Sequence, residues 1–309
     1  MNTDRPNSPW LSLVTLLGFT FVGALASQII VIVLFAWLSG KLDLSSLSNP
    51  VVLAESNRGL LYLLLASSSL GTFLFPALLL QRIERHQIDY FPARNVQLGL
   101  FLGLSFLFLV AASPIMELIS RWNMEMSLPE SLKSAETWMR TQEDAMADLT
   151  KNLVMVDSLS LLLTNIVVMA IIPAIVEEFF FRGALQTICY RIFDNQHAAI
   201  WITAIIFSAI HVQFFGFFPR MILGLIFGYA FVWTKNIWVP VFAHFVNNAS
   251  VTIIAYFFHK QGKTYEDLQS AEIYSPIIYL SSFIVTLLIG YYFYKKSKEV
   301  NRLNEFELD

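Results

Sequence analysis

Apolar residues run along this chain in long blocks rather than in the alternation a half-buried sheet would show. Eight blocks, roughly 10–39, 59–81, 97–119, 159–191, 198–218, 219–235, 238–258 and 274–294, come close to or exceed the ~20 apolar residues a helix needs to cross a hydrocarbon core of about 30 Å. The breaks carry charge or turn chemistry: Lys41 to Arg58, Arg82 with Glu84 and Arg85, Asp194-Asn195, Pro219-Arg220, Lys235-Asn236, and Lys260 to Glu272. The pattern predicts an all-α fold, a polytopic membrane helix bundle of about eight transmembrane helices. Residues 1–309 read as a single membrane domain without internal repeat or low-complexity tract. The first block follows Asp4 and Arg5 and exceeds the about 7 to 15 residue core of a cleaved signal peptide, so it counts as a span.

One connection, 120–158, is long. Leu132, Ala135, Met139, Met146, Leu149 and Leu153 recur at helical spacing, with Glu136, Glu143, Asp144 and Asp148 off that stripe. An extramembrane amphipathic insertion is expected. Its acidity argues against docking on anionic lipid, which leaves a helix over the mouth of the bundle on the non-cytoplasmic side, or a solvated linker. Gly224 and Gly228 make a small-xxx-small step that would let two helices pack closely.

Composition agrees with the membrane reading: 56% of residues are hydrophobic, 14% are charged and mean hydropathy is +0.60. A net charge of -3 supplies no basic field, so nucleic acid is not a partner. The single cysteine, Cys189, can form no internal disulfide and has no metal-site spacing around it. With eight spans both termini share a side, whose connections carry 11 Lys and Arg against 9 opposite. The Lys295-Lys296-Lys298 cluster after the last block favours cytoplasmic termini. Short loops without a retention signal point to a bacterial plasma membrane.

Against this apolar background three polar clusters stand out. They are Glu177-Glu178 with Arg182, His211 four residues after Phe207, and His244 four residues before Asn248. An ionisable side chain in hydrocarbon costs roughly 2.5–3.5 kcal/mol on insertion scales, so each is a functional candidate. At 1.5 Å per residue, Glu177 is expected about 21 Å from the cytoplasmic end of its helix, His211 about 20 Å, His244 about 9 Å and Asn248 about 15 Å. The groups should share one band, in a cavity that opens towards the cytoplasm. Glu178 and Arg182 suit an ion pair, Glu177 faces elsewhere, and His244 and Asn248 share a helix face. A carboxylate and an imidazole can activate water, and paired donors can hold an oxyanion, which suits amide hydrolysis. There is no G-x-S-x-G elbow and no H-E-x-x-H. His86, His197 and His259 fall at span ends and read as interfacial.

The set Glu177-Glu178-x-x-x-Arg182, Phe207-x-x-x-His211 and His244-x-x-x-Asn248, spread over residues 160–258, resembles the CPBP intramembrane proteases, also called the CAAX protease or Abi family. The resemblance implies a catalytic helical core at 160–258. It also implies that Glu177 and His211 activate water, that His244 and Asn248 form the oxyanion site, and that Glu178, Arg182 and Phe207 support them. It implies cleavage of a membrane-associated or prenylated peptide or protein. Zinc on Glu177, His211 and His244 is one mechanism, since His₂Glu with an open position is a catalytic zinc set. A metal-free glutamate protease is the other, favoured here by Asn248 beside His244. Intramembrane Glu, His and Arg also mark ion paths, so a proton- or ion-coupled transporter is an alternative, and a non-catalytic scaffold or immunity protein is another.

Overall fold

The structure is a computed structural model. It describes residues 7–40, 47, 49–94, 97–269 and 273–306, so Asp4, Arg5, Lys41 and Glu272, which entered the sequence reading, lie outside the described residues. The elements are helical: α1 (Pro9–Ser39), α2 (Pro50–Ser56), α3 (Arg58–Glu84), α4 (Leu98–Met124), α5 (Lys133–Val154), α6 (Leu159–Phe193), α7 (Gln196–Ala209), α8 (Phe217–Thr234), α9 (Trp238–Lys260), α10 (Tyr265–Gln269) and α11 (Pro276–Phe306). Among the described residues the only β feature is an isolated bridge between Ala93 and Asn236.

Seven of these helices are long and apolar enough to cross a membrane: α1, α3, α4, α6, α8, α9 and α11. Their outward faces carry bare Leu, Ile, Phe and Trp, among them Phe21, Val33 and Leu287. Such a surface is stable only against lipid, and the chain is an integral membrane protein. Caps explain many of the ends. Ser8 Oγ accepts from Leu11 N with Pro9 in the first turn, and Gly40 closes α1 at φ 64°. Asp194 at φ 47° ends α6, and Asn195 caps α7 at Ala198 N. Those two turn residues reverse the chain between helices.

The 198–218 block does not form one span. Helix α7 has 14 residues, about 21 Å, and is followed by a turn at Ile210-His211, then Val212 at φ 54° and a 3-10 turn at Phe214–Gly216. Phe214, Phe215, Phe217 and Phe218 kept hydropathy high across this break. Pro219 does not terminate the preceding helix. It sits in the first turn of α8, where its missing N–H leaves no intrahelical bond unmade.

Helices α3 and α6 contain π segments, Leu70–Leu74 in the first and Ile166–Ile171 and Phe179–Leu185 in the second. Pro76 and Pro173 follow two of them within a few residues. A proline gives no hydrogen bond to the carbonyl four residues back, and an inserted residue is one way a helix absorbs that loss. Helix α7 packs on α8, α4 on α11, and α9 along the first π segment of α6.

Helix α5 buries only part of the expected stripe. Leu149, Leu153 and Val154 are buried, but so is Glu136, whereas Leu132, Trp138 and Met146 are exposed. Glu136 accepts from Leu128 N and binds Lys133 and Arg140. Glu143 Oε2 accepts from Phe215 N at 3.2 Å, Arg140 lies 4.1 Å over the Phe215 ring, and Trp138 meets Phe214. The acidic face therefore holds the turn between α7 and α8, because that turn offers N–H groups and aromatic rings that a carboxylate and a guanidinium satisfy better than lipid would.

Candidate functional site

The two glutamates occupy Ile172–Glu178, a short α segment between the π segments of α6. Adjacent residues on a helix diverge by about 100°, and the pair divides accordingly. Glu178 is fully buried, and its Oε1 accepts from Arg182 Nη1 at 2.9 Å and from His244 Nδ1 at 2.8 Å. Glu177 faces a cavity of about 350 Å³, shared with Phe207, His211, Arg220, Phe227, His244, Asn247 and Asn248. Its Oε2 is buried without a hydrogen-bond partner among the described residues and lies 3.9 Å from His244 Nε2.

Hydrogen bonding fixes the state of both imidazoles. His211 Nδ1 is 2.8 Å from the Phe207 carbonyl, which can only accept, so Nδ1 carries the hydrogen and Nε2 keeps its lone pair in the neutral ring. His244 Nδ1 likewise donates to Glu178, so its Nε2 can donate only when the ring is cationic. Phe227 stacks on His244 at 5.2 Å with 20° between planes, and Phe207 presents its edge at 6.0 Å.

Arg182 is the support of this arrangement. Its Nη2 donates to the Gly224 carbonyl at 3.1 Å, and Phe207 and Phe227 flank the guanidinium. Glycine at 224 lets α7 lie close against α8 here, since a Cβ would meet Ala204 Cβ at 3.0 Å and Phe207 Cδ1 at 3.4 Å. The small-residue step is thus tied to the site as well as to packing.

Asn248 is more engaged than its spacing suggested. Pro173 leaves the Met169 carbonyl without a proline N–H, and Asn248 Nδ2 donates to it at 3.3 Å, while Asn248 Oδ1 accepts from Asn247 Nδ2. One amide hydrogen of Asn248 is left for a ligand. Asn247 and Arg220 were not among the expected site residues: Asn247 is masked in sequence by its neighbour, and Arg220 was taken for a loop charge. An arginine amid four nearby phenylalanines was the signal that could have found it.

The cavity opens at the other end from the one expected. Its outer lining is Ser120, near the end of α4, with Gly216, Pro219 and Arg220 where α8 begins. Ile115 N bonds Ser282 Oγ and Arg121 bonds Tyr279, whereas Phe101 meets Phe293. Helices α4 and α11 are therefore antiparallel, and the mouth lies at the end away from Lys295, Lys296 and Lys298. The reason is the early stop of α7, which lets the 210–216 connection dip into the bundle from that side. Arg182, moreover, lies within the bundle and drops out of the loop-charge comparison.

Glu177, His211 and His244 are the right donor types for zinc, but among the described residues no three His, Cys, Asp or Glu side chains converge as a ligand set. The residues as placed do not fit a bound metal.

A sequence model of the "Type II CAAX prenyl endopeptidase Rce1-like" family matches residues 159–250. The chain is 30% identical over 117 residues to "Uncharacterized protein YpbD" of Bacillus subtilis (strain 168), covering 36% of this chain and 57% of that protein. It is 32% identical over 89 residues to "Putative membrane peptidase YdiL" of the same organism, covering 29% of this chain and 36% of that protein. It thus spans about half the length of the first relative and about a third of the second. No solved structure matches. The matched segment is the one that carries Glu177, Glu178, Arg182, His211, His244 and Asn248, and over that segment the chain is similar to the Rce1-like type II CAAX prenyl endopeptidases.

Proposed function

We propose that the chain is an intramembrane endopeptidase that hydrolyses a peptide bond of a membrane-associated or prenylated substrate. The observation that carries this reading is the buried, unpartnered Oε2 of Glu177 on the wall of a cavity that also holds His211, His244 and Asn248. Glu177 and the bare Nε2 of His211 hold a water and take its proton as its oxygen attacks the carbonyl carbon. The oxyanion is received by Nε2–H of a cationic His244, whose Nδ1–H stays on the Glu178 carboxylate, and by the remaining amide hydrogen of Asn248. The C–N bond then breaks, and the proton taken from water passes to the leaving amine. Glu178, Arg182 and Phe207 hold these groups in place. These steps use no metal, and metal analysis with activity before and after chelation decides the cofactor.

We read the host membrane as a bacterial plasma membrane with both termini cytoplasmic. On that orientation the mouth faces outward and takes a peptide presented there; a cytoplasmic prenylated tail requires the reverse. In a Cys189→Ala background, a membrane-impermeant maleimide applied to intact cells labels Ser120→Cys and spares Ser297→Cys if the termini are inside.

The test of activity is cleavage of a fluorogenic peptide panel, with and without a prenylated cysteine, by wild type and Glu177→Gln. Cleavage lost by at least ~10³-fold in a folded variant supports the peptidase, in keeping with the 10²–10⁴-fold worth of a positioned base. Equal cleavage by both proteins overturns it. A carrier would lose substrate flux in the variant with no product formed.

A further inference from the structure

A second cavity, of about 210 Å³, lies between α4, α8 and α11 and is lined by Phe108, Ile222, Leu225, Trp233, Gly290 and Phe293. It is separate from the catalytic cavity. Ile226 and Ala243 border it, whereas their chain neighbours Phe227 and His244 line the other and stack on each other at 5.2 Å. Its hydroxyls are already engaged, Ser105 Oγ by the Phe101 carbonyl at 2.8 Å and Tyr229 OH by His197 Nδ1 at 2.8 Å, so the groove presents carbon surface. From Ile222 to Trp233 it follows α8 for about 16 Å at 1.5 Å per residue, close to the ~15 Å half-thickness of a hydrocarbon core. Trp233 sits at the end of the bundle that carries the basic cluster: its ring meets Tyr294 at 5.2 Å, and Lys298 Nζ stands 4.7 Å over the Tyr294 ring. Lys296 is taken by Glu299 at 3.0 Å, whereas Lys298 makes no ion pair among the described residues, and Arg302 follows it one turn on.

We propose that this groove seats one acyl chain of an anionic phospholipid, whose headgroup charge is received by Lys298 and Arg302. The site is independent of the peptidase reading. A chain entering beside Trp233 and ending near Ile222 spans one leaflet, with the Trp233 and Tyr294 rings at headgroup level, where such rings are favoured. Basic residues at the mouth of a pocket between transmembrane helices suit an anionic headgroup better than a zwitterionic one. A helix from a second copy, about 10–12 Å across, is too wide for a space of this volume. An extended peptide fits no better, because its backbone N–H and C=O groups would find no partner on such a lining. The seated chain packs against Ile226 and Ala243, directly behind the Phe227 and His244 stack.

Native mass spectrometry of the delipidated full-length protein in detergent tests this with phosphatidylglycerol and phosphatidylcholine of identical acyl chains. Wild type should retain one phosphatidylglycerol at least ~10-fold more tightly than phosphatidylcholine, the worth of two basic residues at an anionic surface. Leu225→Trp and Ile222→Trp fill the groove from half-buried positions on α8 and should each retain neither lipid. Lys298→Gln combined with Arg302→Gln should hold both lipids equally. Thermal unfolding without lipid checks the fold of each variant. Phosphatidylglycerol brominated along its chains should also quench wild-type fluorescence, and Trp233→Phe should remove that quenching, which reads the site without filling it. Unchanged retention in the folded Trp variants overturns the proposal, as do equal retention of the two lipids by wild type and quenching that survives Trp233→Phe. A dimer peak that disappears in the filled variants would overturn it in favour of a second copy.

Discussion

Glu178 serves two donors, Arg182 and His244, through one oxygen, Oε1, while its Oε2 is buried without a hydrogen-bond partner among the described residues. Removing Arg182 would leave that carboxylate facing His244 alone. Arg182→Met should therefore destabilise the protein by about 3–5 kcal/mol, the usual cost of breaking a buried pair from one side. Thermal unfolding in detergent measures it. The double variant Glu178→Gln with Arg182→Met removes both charges and should recover most of that stability. Its cleavage should stay low, since a neutral amide cannot favour a cationic His244 as a carboxylate does. Recovery of full activity in the double variant would show that Glu178 has no influence on His244.

At the scale of elements, two contacts set where helices lie. Helices α1 and α3 cross at Gly23 and Gly71, where a Cβ on Gly23 would stand 2.1 Å from the Gly71 carbonyl oxygen. The obstacle is backbone and cannot step aside. Gly23→Ala should cost about 1–3 kcal/mol through overpacking, read as a lower unfolding temperature, whereas Gly18→Ala, where the added methyl meets nothing, should not. The second contact is Glu143 of α5 on the α7–α8 turn. Burial raises the Glu143 pKa above the ordinary carboxylate value, partly opposed by the Phe215 N–H and by Arg220. A carboxyl raised in the folded state contributes stability at pH below its unfolded value and loses it as pH rises through the folded one. Glu143→Gln keeps the oxygen that accepts from Phe215 and is always neutral. Its unfolding temperature should match wild type near pH 4 and exceed it near pH 8, and a difference independent of pH would refute the assignment.

Across the whole molecule, the end away from the cavity is fastened by one buried carboxylate. Glu84 accepts from Ser12 Oγ and Tyr90 OH at 2.6 Å each, and from Asn7 and Arg191, so α1, α3, the segment after α3 that carries Tyr90, and α6 meet on one side chain. The Tyr90 phenol is pushed well above the usual tyrosine range, by burial first and by Glu84 second. Glu84→Ala should lower the unfolding temperature markedly, because it leaves Arg191 without its carboxylate and Tyr90 without its acceptor. In the sequence Glu84 and Arg191 were two loop charges among several, since nothing local distinguishes a solvated carboxylate from one that four elements converge on. The helical class, the seven long apolar helices and the pairing of Glu178 with Arg182 were legible because hydropathy and helical spacing are local properties of the chain. So was the set Glu177, His211, His244 and Asn248, whose polarity stands out wherever water is excluded. Tertiary structure decided the rest. The break at 210–216 is hidden by its own phenylalanines, the docking of the α5 acidic face depends on a turn distant in sequence, and Arg220 becomes a cavity cation only once α7 stops short. Each is a contact between segments far apart along the chain, and periodicity records which face of a helix is apolar but not what that face meets.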